Sequence, residues 1–171
     1  QMDALYEERR ALPWVKLDKD YAFDTAAGRK SLADLFQGKS QLIVYHFMLG
    51  PDWAEGCPGC SFIGDHVDGA RIHFEQTDVK FWAVSRAPLA KLEAFKKRMG
   101  WTFDWASSFG SDFNYDFHVS FTPEQIAAGD TVYNFEPTPH KEEETHGLSV
   151  FAKEDGAVHH TYSTYSRGCN I

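Results

Sequence analysis

Hydrophobic and polar positions along the chain repeat with two different periods. Residues 41–49, QLIVYHFML, are almost unbrokenly apolar and rich in β-branched and aromatic types, the pattern of a buried strand. Residues 79–85, VKFWAVS, predict a second buried strand. Between them Phe62, Ile63, Val67, Ala70 and Phe74 recur at helical spacing, which predicts a helix from Pro58 to about Gln76. Another helix opens after Pro88, lines up Leu92, Phe95 and Met99 on one face, and stops at Gly100.

Weaker patterns fill the flanks. Residues 3–12 read as an amphipathic helix ended by Pro13, and residues 14–17 and 21–24 as a small hairpin or edge strands. Gly28 centres a turn, Ser31 caps a short helix through Phe36, and Gly38 stops it. Residues 103–106 predict a further strand. From Ser107 to about Thr145 the pattern thins to turns around Phe109, Phe113, Tyr115 and Phe117. Within it Thr122-Pro123-Glu124-Gln125 starts a short helix ending at Gly129, and residues 132–135 predict a strand. Glu142, Glu143 and Glu144 read as a solvated loop. Residues 148–152 and 157–162 then make a hairpin about Glu154-Asp155-Gly156. No repeat or linker divides residues 1–171, so one α/β domain is expected.

Composition narrows the function classes. The 171 residues, 43% apolar and 25% charged, are those of a globular protein with a proper core. Against 25 Asp and Glu stand 17 Lys and Arg, a net charge of −8 that disfavours binding to nucleic acid or an anionic membrane. No apolar run reaches the ~18 residues a membrane span needs. The charged start (Glu7, Glu8, Arg9, Arg10) lacks an apolar signal core, so a cytoplasmic protein is expected.

Three cysteines are too few for a disulfide scaffold, and two of them form Cys57-Pro58-Gly59-Cys60 between the first strand and its helix. Proline suits the first helical position, which needs no amide hydrogen. Cys57 would then cap the helix, where unpaired amides and the positive dipole end favour a thiolate. Cys60, a turn further in, is close enough to form a disulfide with it. That layout predicts dithiol redox chemistry.

The strings VYHFMLGPDW, GCPGCSF, AVSRAPLAKLEAFKKRMGWTF, SSFGSDFNYDF, VSFTPEQIAAG and HTYSTYSRG resemble a bacterial family of thioredoxin-like proteins of unknown function, described as dithiol-disulfide oxidoreductases. The opening YAFDTAAGRKSLADLFQGKSQLIVYHF is similar to the peroxiredoxin branch of the thioredoxin superfamily. The resemblance implies a thioredoxin-like fold, a central mixed sheet with helices on both faces and N-terminal and central insertions. It implies attack by Cys57, resolution by Cys60 and no cofactor. Protein or small-molecule disulfides and thiols are the expected substrates, with the thioredoxin or glutathione system as electron partner. Such proteins usually carry a cis-proline opposite the dithiol; here His146 or Gly147 falls at that position.

Other chemistries remain open on sequence. A thiol peroxidase would use Cys57 as sulfenic acid and Cys60 as its partner. A copper or zinc carrier would use Cys57, Cys60 and His146. Arg86, at the end of the second strand, reads either as a cation that holds Cys57 as thiolate or as a solvated loop residue. Trp53 and the aromatic cluster read as core, some of it walling a substrate groove. His46 reads as a core histidine, Cys169 as a surface thiol, and His159 and His160 as facing opposite ways on one strand.

Overall fold

The computed structural model describes residues 2–169. Helix α1 (Met2–Arg10) leads into strands β1 (Val15–Lys16), β2 (Ala22–Thr25) and β3 (Gly28–Ser31), then a 3-10 turn at Asp34–Phe36. Strand β4 (Gln41–His46), helix α2 (Pro58–Phe74), β5 (Val79–Ser85), α3 (Leu89–Met99) and β6 (Trp105–Ser107) form the centre. Two short helices, α4 (Phe113–Asp116) and α5 (Pro123–Ala128), precede β7 (Val132–Tyr133) and β8 (Glu136–Pro137). The hairpin β9 (Gly147–Glu154) and β10 (Ala157–Tyr165) and a 3-10 turn at Ser166–Cys169 complete the order.

One eight-stranded sheet runs β1-β10-β9-β4-β5-β6-β2-β3. Strands β4, β5 and β6 are parallel, with Gln41 opposite Val79 and His46 opposite Val84. Parallel neighbours need crossovers, which α2 and α3 supply. The other pairings are antiparallel; β9 lies against β4 with His46 opposite Gly147.

Period-2 alternation divides the core into two layers. Leu42 and Val44 of β4 and Trp82 and Val84 of β5 point to one side, where they meet Phe113, Phe117 and Phe151. Tyr45, Phe81 and Ala83 point to the other, against Leu92, Phe95, Trp101 and Trp105. Both faces are thus covered, which explains why β4 and β5 read as continuous apolar runs. At its C-terminal end α2 is fastened to the sheet by Lys80–Glu75 (3.0 Å), a pair extended by Arg71–Glu75 (3.0 Å) on the helix and Lys80–Asp104 (2.9 Å) beside β6.

Four expectations change. Residues 14–17 and 21–24 supply edge strands but no hairpin: β1 pairs with β10 at one edge, while β2 joins β3 and β6 at the other. Residues 132–135 give only the two residues of β7, in a separate ribbon with β8, because Asn134 and Phe135 turn through positive φ. Ser31 ends β3 instead of capping a helix, and the 3-10 turn over Asp34–Phe36 has Ala33 at its N-cap. Glu144 is no solvated loop residue; it is 3% exposed.

Candidate functional site

Beyond β4 the chain stays extended long enough for Phe47 N–H to reach Val84 O (2.9 Å), then loops out through Pro51 and returns. Lys91 of α3 donates to the carbonyls of Pro51 and Trp53 and holds this loop down. At Gly56 the backbone lies on aromatic rings: a Cβ there would sit 2.7 Å from Phe47 Cε1 and 3.0 Å from Phe95 Cζ. Cys57 N–H then donates to Met48 O (3.0 Å), and α2 begins with Cys57 as its cap and Pro58 in the first turn. The start of a seventeen-residue helix therefore points its free amides at a sulfur.

The two thiols are free and unequal. The Cys60 thiol donates to Cys57, and the Cys60 and Gly59 amides and nearby His146 add to that attraction. Against the opposing effect of partial burial, they hold Cys57 down to about 5. Donating to that thiolate, and being buried, pushes the Cys60 thiol far up. Cys60 is 2% exposed, and Met48 N–H approaches its sulfur at 3.5 Å. Cys57 is a thiolate at neutral pH and reachable; Cys60 is a covered thiol.

A cavity of about 400 Å³ opens beside them, lined by Gly59, Phe62 and Ile63 of α2 and, from the facing elements, by Tyr45, His146 and Cys169. His146, just before β9, thus shares the cavity with the dithiol. Cys169 lies there too rather than on the open surface; its thiol is pushed up to about 11 by burial and donates to Thr164 O at 3.4 Å. Among the described residues, no three Cys, His, Asp or Glu side chains gather as a metal site.

Arg86 and Trp53 go elsewhere. The Arg86 guanidinium pairs with Glu144 (2.8 Å), lies over the Tyr115 ring (4.7 Å) and does not line the cysteine cavity. Trp53 borders a different depression, shared with Gly50, Asp52 and the loop containing Glu142 and Glu143. Glu55, which would oppose a thiolate, is bound to Arg98 at 2.7 Å. His46 is a core residue: fully buried, bonded through Nε2 to Ser149 Oγ (2.9 Å), and held down to about 3 by burial. His160 packs inward on Phe117 and Phe151, whereas His159 lies against Trp14.

Sequence reasoning missed two residues. Tyr45 is buried on the wall of the cavity, and its hydroxyl makes no well-formed hydrogen bond. It lies near enough to Cys60 to favour that thiolate, so it is a donor available when Cys60 ionises. Alternation along β4, which puts Tyr45 opposite His46 and on the face that α2 covers, was the available signal. Glu144 receives a hydrogen bond from Ser120 Oγ (2.8 Å) beneath Arg86, and burial raises it to about 7. Nothing local marks it among three consecutive glutamates.

A family model described as "Bacterial protein of unknown function (DUF899)" matches residues 1–171. The chain belongs to the DUF899 family. No match was found among curated proteins. Solved structures similar to this DUF899 protein include a PrxQ mutant from Xylella fastidiosa, at 15% identity and TM-score 0.63, covering 89% of this chain and 84% of that one. The peroxidoxin BcpB of Mycobacterium tuberculosis shares 13% identity at TM-score 0.62, over 91% and 84%. A peroxiredoxin-like protein from Aquifex aeolicus shares 11% at TM-score 0.56, over 90% and 80%. Identities this low carry the fold alone: the DUF899 chain has a thioredoxin-like, peroxiredoxin-like α/β architecture. No helix in the described residues is long and apolar enough to cross a membrane.

Proposed function

We propose that the protein is a thiol-disulfide oxidoreductase in which Cys57 attacks and Cys60 resolves. The observation that carries this reading is the inequality of the two sulfurs at the start of α2. The Cys57 thiolate attacks one sulfur of a substrate disulfide, forming a mixed disulfide and expelling the other half as thiolate. Cys60 then gives up its proton, which passes to the expelled thiolate. Its sulfur attacks Cys57 and releases the second half. The substrate gains two electrons and leaves as one thiol and one thiolate, the latter taking its proton from water, while Cys57 and Cys60 become a disulfide. A cellular dithiol or thiol, of the thioredoxin or glutathione kind, returns the pair to the reduced form.

Trapping tests the assignment. Cys60→Ser should accumulate a mixed disulfide on Cys57 with a model disulfide substrate, seen by intact mass, and Cys57→Ser should lose exchange to background. Trapping on Cys60 instead would reverse the roles.

A thiol peroxidase is the second reading, favoured by the peroxiredoxins among the similar structures. In it the Cys57 thiolate displaces hydroxide from a peroxide, and Cys60 condenses with the sulfenic acid, releasing water. Stopped-flow reaction with hydrogen peroxide separates the two. Disulfide exchange predicts a rate no faster than free cysteine's, and a much faster one replaces it with the peroxidase.

A further inference from the structure

We propose that the substrate disulfide carries an uncharged apolar group that seats beside Cys57, and that anionic disulfides such as oxidised glutathione are rejected. The inference rests on the disulfide-exchange reading and names its substrate class. The cavity next to the attacking sulfur has the size of a small-molecule site, and its walls are largely hydrocarbon and aromatic. Phe62, within the first turns of α2, leaves 56% of its surface in water at this rim. Covering such a ring stabilises a complex by about 25 cal/mol per Å² of apolar surface removed from water.

The charge distribution points the same way. Among the described residues, no lysine or arginine lines the cavity, and His146 is its one basic side chain. Three cations of the surrounding elements are engaged, Arg86 by Glu144, Arg98 by Glu55 and Lys91 by loop carbonyls, while Arg167, in the turn that carries Cys169, is exposed and does not line the cavity. The chain carries a net charge of −8, and Asp52 lies on the loop leading to Cys57. A carboxylate-bearing disulfide would meet a thiolate and an acidic chain, with His146 as the one basic group on the wall. A neutral apolar one meets only the walls. The apolar group can come from a free small molecule or from side chains flanking a cystine in a peptide.

The test uses reduced wild-type protein and three probes: neutral dithiodipyridine, dianionic dithiobis(nitrobenzoate) and oxidised glutathione. Each exchange rate is divided by that of free cysteine, which removes differences in leaving-group chemistry. The normalised rate for the neutral aromatic should exceed both anionic ones by about tenfold or more, and added salt should narrow that gap by screening. Phe62→Lys should raise the normalised glutathione rate and lower that of dithiodipyridine, a gain that misfolding cannot produce. Cystine peptides flanked by leucine or by aspartate repeat the comparison for the peptide source. Equal or faster normalised reaction with oxidised glutathione overturns the inference but leaves disulfide exchange standing. No exchange with any probe overturns the underlying reading instead.

Discussion

Cys57 and Glu144 are both weak acids beside the loop of residues 50–56, and the protein drives them in opposite directions. Cys57 sits at the loop's end under the Cys60 thiol and two helix-start amides, which outweigh partial burial and hold it at about 5. Glu144 packs against the loop's beginning, where a Cβ on Gly50 would lie 3.3 Å from its side chain. It has a guanidinium and a hydroxyl for partners, yet burial wins and raises it to about 7. Desolvation is overcome at the site where several donors converge on one atom that still touches water. It is not overcome by a single cation against a nearly enclosed carboxylate.

The difference has opposite consequences for stability. The reduced folded state ionises Cys57 at about 5, below the 9.0 of an ordinary thiol, so its contribution grows from about pH 5 to pH 9 and is lost as pH falls through 5. Glu144 is raised from 4.5 to about 7, so its contribution is full below pH 4.5 and is lost as pH rises through 7.

Gly56→Ala should break the cysteine side most severely. Its Cβ has no room between Phe47 and Phe95, so urea unfolding should show a loss of about 1–3 kcal/mol from overpacking. With the helix start displaced, the Cys57 thiol should also titrate higher, while Glu144 keeps its raised value. An Ala variant of native stability would show that the aromatic seat is slack.

Tyr45→Phe removes one hydroxyl and should act on resolution alone. Losing a hydrogen bond of about 1–1.5 kcal/mol to the Cys60 thiolate slows decay of the mixed disulfide roughly tenfold. Attack by Cys57 should be nearly unchanged, and the Cys60 pKa in a Cys57→Ser background should rise further. Quenched-flow mass spectrometry reads both steps, and equal slowing of the two would make Tyr45 merely structural.

Glu144→Gln has the smallest effect and sharpens the other side. Glutamine still fits against Gly50 and still accepts from Ser120, so the fold should persist. The decline of stability between pH 5 and 8 that Glu144 causes should disappear, measured as urea midpoints in a Cys57→Ser background. An unchanged slope would mean that Arg86 holds Glu144 ionised.

The contrast also marks how far the sequence could be read. Strands β4 and β5, helices α2 and α3, and the Thr122 cap were legible because their periods and caps are local, and so was the dithiol at a helix start. The β1–β10 pairing was not, since nothing near Val15 encodes a partner almost the whole chain away. Helix α4 is four residues long, too short to display a period. Arg86 read as a cation for the Cys57 thiolate or as a solvated loop residue and Glu144 as a solvated one, and only the order of the sheet and the fold of the long loop bring the two together. Likewise Cys169 reads as a surface thiol until the turn after β10 brings it to the wall of the cavity.

The central claim is that α2 begins at a stabilised thiolate with a covered thiol beside it. Iodoacetamide alkylation of the fully reduced protein as a function of pH, with each cysteine followed by peptide mass spectrometry, measures this directly. Cys57 should alkylate first, along a curve with its midpoint near 5, and Cys60 should stay unmodified until the protein unfolds. A Cys57 midpoint near the ordinary thiol value, or alkylation of Cys60 ahead of Cys57, would contradict it.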